Sequence, residues 1–285
     1  MSSQIRDLSE APRVEPTRRP RRSGYYGAPG QGNSAHISIA TAIVLFLIWL
    51  AITQMGLVKP LFLPSPLAVW NKFVIAMTDG VANSTLTEHA AASLGRVMGA
   101  FLLACLTAIP VGVLMGVNRV ARGLFDPIIE FYRPLPPLAY LPLVIIWLGI
   151  DETMKISIIA LGTLVPIYIN THAALRGIDR RYVELGQAVS LSRARFLRHV
   201  VFPASLPGFF TGLRLAVTHS WTALVVVETI NATSGIGFMI TQARIYGQTE
   251  VVLVGLVLYG ALGFGSDAIV RLAERRALSW RSSIA

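Results

Sequence analysis

Apolar residues fall along this chain in long uncharged runs, and polar residues gather between them. Residues 37–58 carry no charge, and about 20 such residues are enough to cross a hydrocarbon layer of about 30 Å. The run predicts a first membrane span. It is too long for the apolar region of a signal peptide, and no small-residue cleavage site follows a short apolar core. From Lys59 onward, Pro60, Pro64 and Pro66 forbid one continuous helix, while Trp70 and Lys72 suit a membrane surface. A short interfacial helix after Pro66 is predicted.

Residues 90–117 form the predicted second span, with Arg96 near one end and Pro110 deep inside. Gly95, Gly99, Gly112 and Gly116 recur there at four-residue spacing, which lets a neighbouring helix approach closely. Residues 134–150 are uncharged but short, and Pro134, Pro136, Pro137 and Pro142 predict a broken or kinked third span. Residues 156–175 give a fourth span, residues 207–230 a fifth interrupted by Arg214, and residues 251–270 a sixth with Asp267 near its end. The fold class predicted is an all-α membrane protein of six transmembrane helices in one domain, residues 37–285, preceded by a disordered basic tail, residues 1–36.

Charge orients this arrangement. Nineteen of the 25 Lys and Arg residues fall in the first tail, the segments after spans two and four, and the last tail. The other segments hold only Lys59, Lys72, Lys155 and Arg244, and Arg96 and Arg214 lie within spans. Cytoplasmic loops carry such an excess, so both termini are expected inside. The fifth span rests on this parity, since without it the last tail would lie on the wrong side. A net charge of +10 spread this way, with only 14% charged residues, does not make the single basic surface that nucleic-acid binding requires. The lone Cys105 excludes a disulfide within the chain.

The arginine-rich segment of about 176–203 reads as two short helices with a turn near Ser190 to Ser192, Ser192 capping the second. On a helical wheel, Ala194, Phe196, Leu197, Val200 and Val201 share one side and Arg195, Arg198 and His199 the other; Arg193 alone breaks the pattern. Such a hairpin fits a groove on a cytosolic partner, or it lies on the membrane surface with its arginines against anionic lipid.

The spacing of Glu184, Ser190, Val200, Phe202 and Pro203 resembles the EAA loop of ATP-binding-cassette (ABC) importer permeases. Leu185 and Gly186 stand where that motif has two alanines, Ser190 where it has glycine, and Phe202 where it has leucine. The stretches HAAASLGRV, DPIIEFYRPLPPLAYLPLVIIWLGIDETMKI, LGTLVPIYINTHAALRGIDR and ETINATSGIGFMI resemble the nitrate, sulfonate and taurine importer permeases, the sulfonate and taurine members most closely. The resemblance runs from about Leu61 to the C-terminus. It implies a type I importer fold with a cytoplasmic EAA coupling helix, in the bacterial inner membrane. It also implies a homodimer of this chain, two cytosolic ABC ATPase subunits docked on the EAA hairpin, and an extracytoplasmic sulfonate-binding protein. ATP and Mg would be bound by the ATPase partner, and this chain would have no cofactor, metal or catalytic residue of its own. In agreement, it has no GxxxxGK[ST] phosphate loop.

Arg96 and Arg214 carry two open readings. Each lines a translocation path as an electrostatic guide for an anion, or each snorkels or pairs with a carboxylate such as Glu228 or Asp267. Glu184 is either a contact to the ATPase or a residue favoured by the helix dipole. The five histidines show no metal-ligand spacing. Residues 233–250, with Gly235 and Gly237, are expected to be an exposed stretch on which the binding protein lands. A secondary transporter would show repeated halves with discontinuous helices, which the text lacks; a scaffold protein would not need Arg96, Asn170, His172 and Arg214 within its spans.

Overall fold

The computed structural model describes residues 35–279, so the tail predicted over residues 1–36 lies almost wholly outside the described residues. The chain divides into two units at Ile48 and Trp49. Helix α1 (Ala35–Gln54) begins in the first unit and ends in the second.

In the second unit, Ser65 caps α2 (Pro66–Thr78), its hydroxyl accepting from the Ala68 N–H, and Pro66 occupies the first turn, where its missing N–H costs nothing. Thr85 and Glu88 form a reciprocal capping box at the start of α3 (Leu86–Val117). This helix packs along α6 (Glu152–Arg176), which in turn packs along α9 (Phe202–Asn231), and these three form the centre of the unit. The final helix, α11 (Thr249–Ala277), lies against α9 and α2.

Close approach explains half of the glycine spacing. A Cβ on Gly112 would meet Thr171 at 3.0 Å and one on Gly116 would meet Leu175 at 2.6 Å, so α3 and α6 touch backbone to side chain there. Gly95 faces open space, and Gly99 makes only ordinary contact with Ile156. The α6–α9 seam is as close: a Cβ on Gly208 would meet that of Ala174 at 2.6 Å, and one on Gly212 that of Asn170 at 2.8 Å.

The third span is broken, as its prolines predicted, but it takes in more of the chain than residues 134–150. Residues 119–132, read from sequence as part of a loop, form α4 (Arg119–Tyr132), capped by the Asn118 side-chain Oδ1 accepting from the Val120 and Ala121 N–H groups. Helix α5 (Pro137–Leu148) has 12 residues, about 18 Å at 1.5 Å per residue, too short to cross alone. The two helices meet at 105° across Arg133–Pro136. Pro134 and Pro136 deny the chain two backbone donors there, so the break precedes α5 and does not lie within it. Counting this bent pair once, the described residues supply six segments long and apolar enough to span a membrane.

The fifth span also starts earlier than predicted. Helix α8 (Arg193–Phe196) runs through a π turn over Leu197–Val201 directly into α9, giving one continuous helix over Arg193–Ile230. Pro203 cannot donate to the His199 carbonyl, and its ring crowds it. The turn widens in response, and the Phe202 N–H bonds the Leu197 carbonyl five residues back. Residues 233–250 are exposed only at Thr233 and over 244–247: α10 (Ile236–Ile245) buries Ile236, Met239 and Ala243.

Candidate functional site

Three features stand out. The first is the hairpin that precedes α9. Asp179 caps α7 (Arg180–Ala188) by accepting from the Arg181 N–H. The helix ends in a Schellman turn: the Leu191 N–H bonds the Gly186 carbonyl at 3.0 Å, the Ser190 N–H bonds the Gln187 carbonyl at 2.9 Å, and Ser190 sits at φ +52°. That left-handed conformation is the reason glycine suits this position, where the chain has serine. Ser192 occupies the N-cap position of α8 without a side-chain bond to the helix.

Gly186 is buried because the Phe196 ring lies on it; a Cβ there would meet the ring at 2.7 Å. Small residues at this point are therefore a packing requirement of the hairpin. On the other side of α7, Tyr182 (54%), Leu185 (64%) and Val189 (66%) are exposed, so an apolar stripe faces outward. Glu184 is exposed beside them and lies 3.7 Å from Arg180, one turn earlier. Of the remaining hairpin residues, Val200 is half-buried, Pro203 opens α9, and Phe202 is exposed.

The second feature is an ion network around the buried Arg96 and Glu228, with Glu152 at its exposed edge. His89, Ser93 and Arg96 recur at intervals of four and three residues, on one face of α3. Arg96 donates through Nε and Nη2 to both oxygens of Glu152 at 2.7 and 2.8 Å, and through Nη1 to Glu228 Oε1 at 2.6 Å and the Ser234 carbonyl at 2.7 Å. Lys155 adds a bond to Glu152 at 2.8 Å. Glu228, wholly buried, accepts four hydrogen bonds, from Ser93, Arg96, the Gly237 N–H and the Tyr259 hydroxyl.

The first turn of α10 completes the arrangement. Its orphan N–H groups, those of Gly235, Ile236 and Gly237, donate to His89 Nδ1, Ser93 Oγ and Glu228 Oε2. The network thus joins α3, α6, α9, α10 and α11, and three of the four sequence stretches that carried the family resemblance meet in it. Sequence reasoning named Glu228 and Asp267 as possible partners for either arginine without assigning them, and missed Glu152, Ser93, His89 and Tyr259; the polar stripe on α3 was the available signal. Arg214, half-exposed, bonds Asp267 at 3.2 Å, with Glu274 at 4.0 Å. Both arginines have the carboxylate partners that the second of their two readings expected.

The third feature is a cavity of about 710 Å³ beside the bend between α4 and α5. Arg133, Tyr140, Asn170, His219 and Thr222 are among its lining residues, and no Asp or Glu is. Sequence reasoning counted Arg133 only as a loop charge. Among the described residues no group of three His, Cys, Asp or Glu side chains is placed to hold a metal ion.

Residues 108–279 match the family model described as the binding-protein-dependent transport system inner membrane component. The chain is 41% identical over 249 residues to the taurine transport system permease protein TauC of Escherichia coli (strain K12), covering 87% of this chain and 90% of that protein. It is 40% identical over 233 residues to the putative aliphatic sulfonates transport permease protein SsuC of the same strain, covering 82% and 87%. Among solved structures, an inward-facing conformation of the MetNI methionine ABC transporter aligns with TM-score 0.54 at 21% identity, over 66% of this chain and 95% of that one. That last likeness concerns the fold alone.

Proposed function

The chain belongs to the family of binding-protein-dependent transport system inner membrane components, a multi-pass ABC permease of the inner membrane, and from that premise we propose that it carries small organosulfonates into the cytoplasm. The observation that carries the substrate class is the 41% identity to a taurine permease across nearly the whole of both chains. In this reading two copies of the chain form the pore, two cytosolic ATPase subunits bind ATP and Mg, and an extracytoplasmic binding protein delivers the sulfonate. Both termini face the cytoplasm, in keeping with the distribution of arginine.

Coupling rests on the hairpin. The stripe of Tyr182, Leu185 and Val189 is an apolar helix face suited to a groove on the ATPase. Because α8 continues without a break into α9, a push on the hairpin moves a whole span as one body. That rigidity supports alternating access driven from the cytosolic side. Glu184, at the edge of the stripe, is the proposed polar contact.

For the path of the anion, the cavity beside the bent span suits a sulfonate better than Arg96 or Arg214 do. Its lining has Arg133 and no carboxylate, whereas the other two cations are already matched by carboxylates. A weak cationic guide is what a path requires, since tight binding would retain the cargo.

The decisive experiment is uptake of isotope-labelled taurine into proteoliposomes holding the chain, its ATPase and its binding protein, competed with alkanesulfonates and nitrate. ATP-dependent uptake blocked by alkanesulfonates but not by nitrate is expected. Competition by nitrate alone would overturn the sulfonate assignment. Glu184→Lys should leave the complex assembled and hydrolysing ATP while uptake falls; full uptake by that variant would remove Glu184 from the coupling contact.

A further inference from the structure

Where α3 and α6 end, beneath the root of the hairpin, lies a second large cavity, of about 850 Å³. Asn118, Arg119, Arg176 and Arg193 are in its lining, and no Asp or Glu is. None of these three arginines has an ion-pair partner among the described residues. Arg193 is the residue that broke the amphipathic pattern of the hairpin helix: it lies with Phe196, Leu197 and Val201, on the apolar side. All three arginines are exposed and line one recess with no carboxylate beside them, so an anion entering it meets positive charge and hydrogen-bond donors from three elements.

This cavity continues into a groove of about 410 Å³ that shares Val117, Leu175, Leu197 and Val201 with it. The groove runs up the spans past Val113 to Ile109 on α3, eight residues from Val117, or about 12 Å at 1.5 Å per residue. Its lining is apolar except for Thr171 and Ser205. A basic recess at the ends of the spans, opening into an apolar groove that runs along them, matches one kind of molecule: a headgroup with a negative charge and a hydrocarbon chain. We infer that this composite site binds an anionic phospholipid, its phosphate on Arg119, Arg176 and Arg193 and an acyl chain in the groove. Basic pockets between spans are a known way to recognise such headgroups. A lipid held there touches α3, α6, the hairpin and the start of α9 together, so it would brace the hairpin against the spans it moves.

The test is native mass spectrometry of the full-length chain in detergent, offered dioleoylphosphatidylglycerol or dioleoylphosphatidylcholine, which differ in headgroup but not in chains. The wild type should retain the anionic phosphatidylglycerol at least about tenfold better than the zwitterionic phosphatidylcholine. Each of Arg119→Gln, Arg176→Gln and Arg193→Gln should weaken that retention about fivefold, the effect of one basic residue at a lipid surface, and the triple variant should abolish the preference. Arg275→Gln with Arg276→Gln, outside the site, should change nothing. Val113→Trp, which fills the groove and leaves every arginine in place, should also lower retention, and it keeps the idea testable if the triple variant fails to fold.

Glycerol 3-phosphate carries the headgroup chemistry without chains and should not displace the lipid at millimolar concentration. Full displacement would mean a site for a free anion and overturn the lipid assignment. So would unchanged lipid retention in the triple variant.

Discussion

Glu228→Gln isolates the energetic centre of the molecule. Glu228 is 1% exposed and Arg96 is 5% exposed, and the glutamine side chain keeps the shape of the glutamate while removing its charge. The amide oxygen can still accept from Ser93 and Arg96, but the amide NH2 must then face the Gly237 N–H and the Tyr259 hydroxyl. Tyr259 can turn and accept; the Gly237 N–H cannot. One orphaned buried donor costs about 1–3 kcal/mol, and removing one side of a buried ion pair costs about 3–5 kcal/mol. Arg96 keeps its two bonds to Glu152, which places the expected loss near the lower bound, about 3 kcal/mol. For a chain of this size that is a fall in melting temperature of about 6–12 °C.

Asp267→Asn provides the internal standard: Asp267 pairs with Arg214, 43% exposed, and with Arg271, 37% exposed, and each such surface pair contributes at most about 1 kcal/mol. The assay is tryptophan-fluorescence melting of the purified chain in detergent. The double variant Arg96→Gln with Glu228→Gln should melt higher than the sum of the single losses predicts, because neither charge is then left alone. Additive losses, or a Glu228→Gln loss no greater than that of Asp267→Asn, would refute the view that the network ties the spans together.

Gly186→Val should push the Phe196 ring off α7 and open the hairpin, at a cost of about 1–3 kcal/mol, read as faster proteolysis between Gly177 and Ser192; adding Phe196→Ala should restore protection, which a general folding defect would not allow. Gly212→Val should lower the melting temperature by several degrees through its clash with Asn170 and the Pro166 carbonyl, whereas Gly95→Ala, where a Cβ meets nothing within 4 Å, should leave it unchanged.

The spans and their bias of arginine to one side are written in composition, because hydrocarbon excludes charge residue by residue and needs only a run of sufficient length. The hairpin's turn and its two helices were legible for a related reason, being set by neighbours within a few residues. Its outward stripe was not, for the apolar side read from the second helix packs on α7 through Phe196 and the exposed stripe is that of Tyr182, Leu185 and Val189. Helix α4 and the continuity of α8 with α9 could not be read from sequence, because they depend on what surrounds them. α4 is tied back to α6 through the bond from Tyr168 to Asp126, and α8 is continuous with α9 only because a π turn absorbs the conflict at Pro203.

The fate of each charge was decided by tertiary structure alone. The sequence allowed Arg96 to guide an anion or to meet a carboxylate, and nothing local separates the two. Glu152 stands 56 residues away and Glu228 stands 132, so only the packing of α3 against α6 and α9 could bring their oxygens to the guanidinium. The same packing leaves Arg133 in a cavity without a carboxylate and collects Arg119, Arg176 and Arg193 around another. Hydropathy along the chain determines which segments enter the membrane. Which charges are spent on holding the fold, and which remain for a ligand, follows from contacts between residues far apart in sequence.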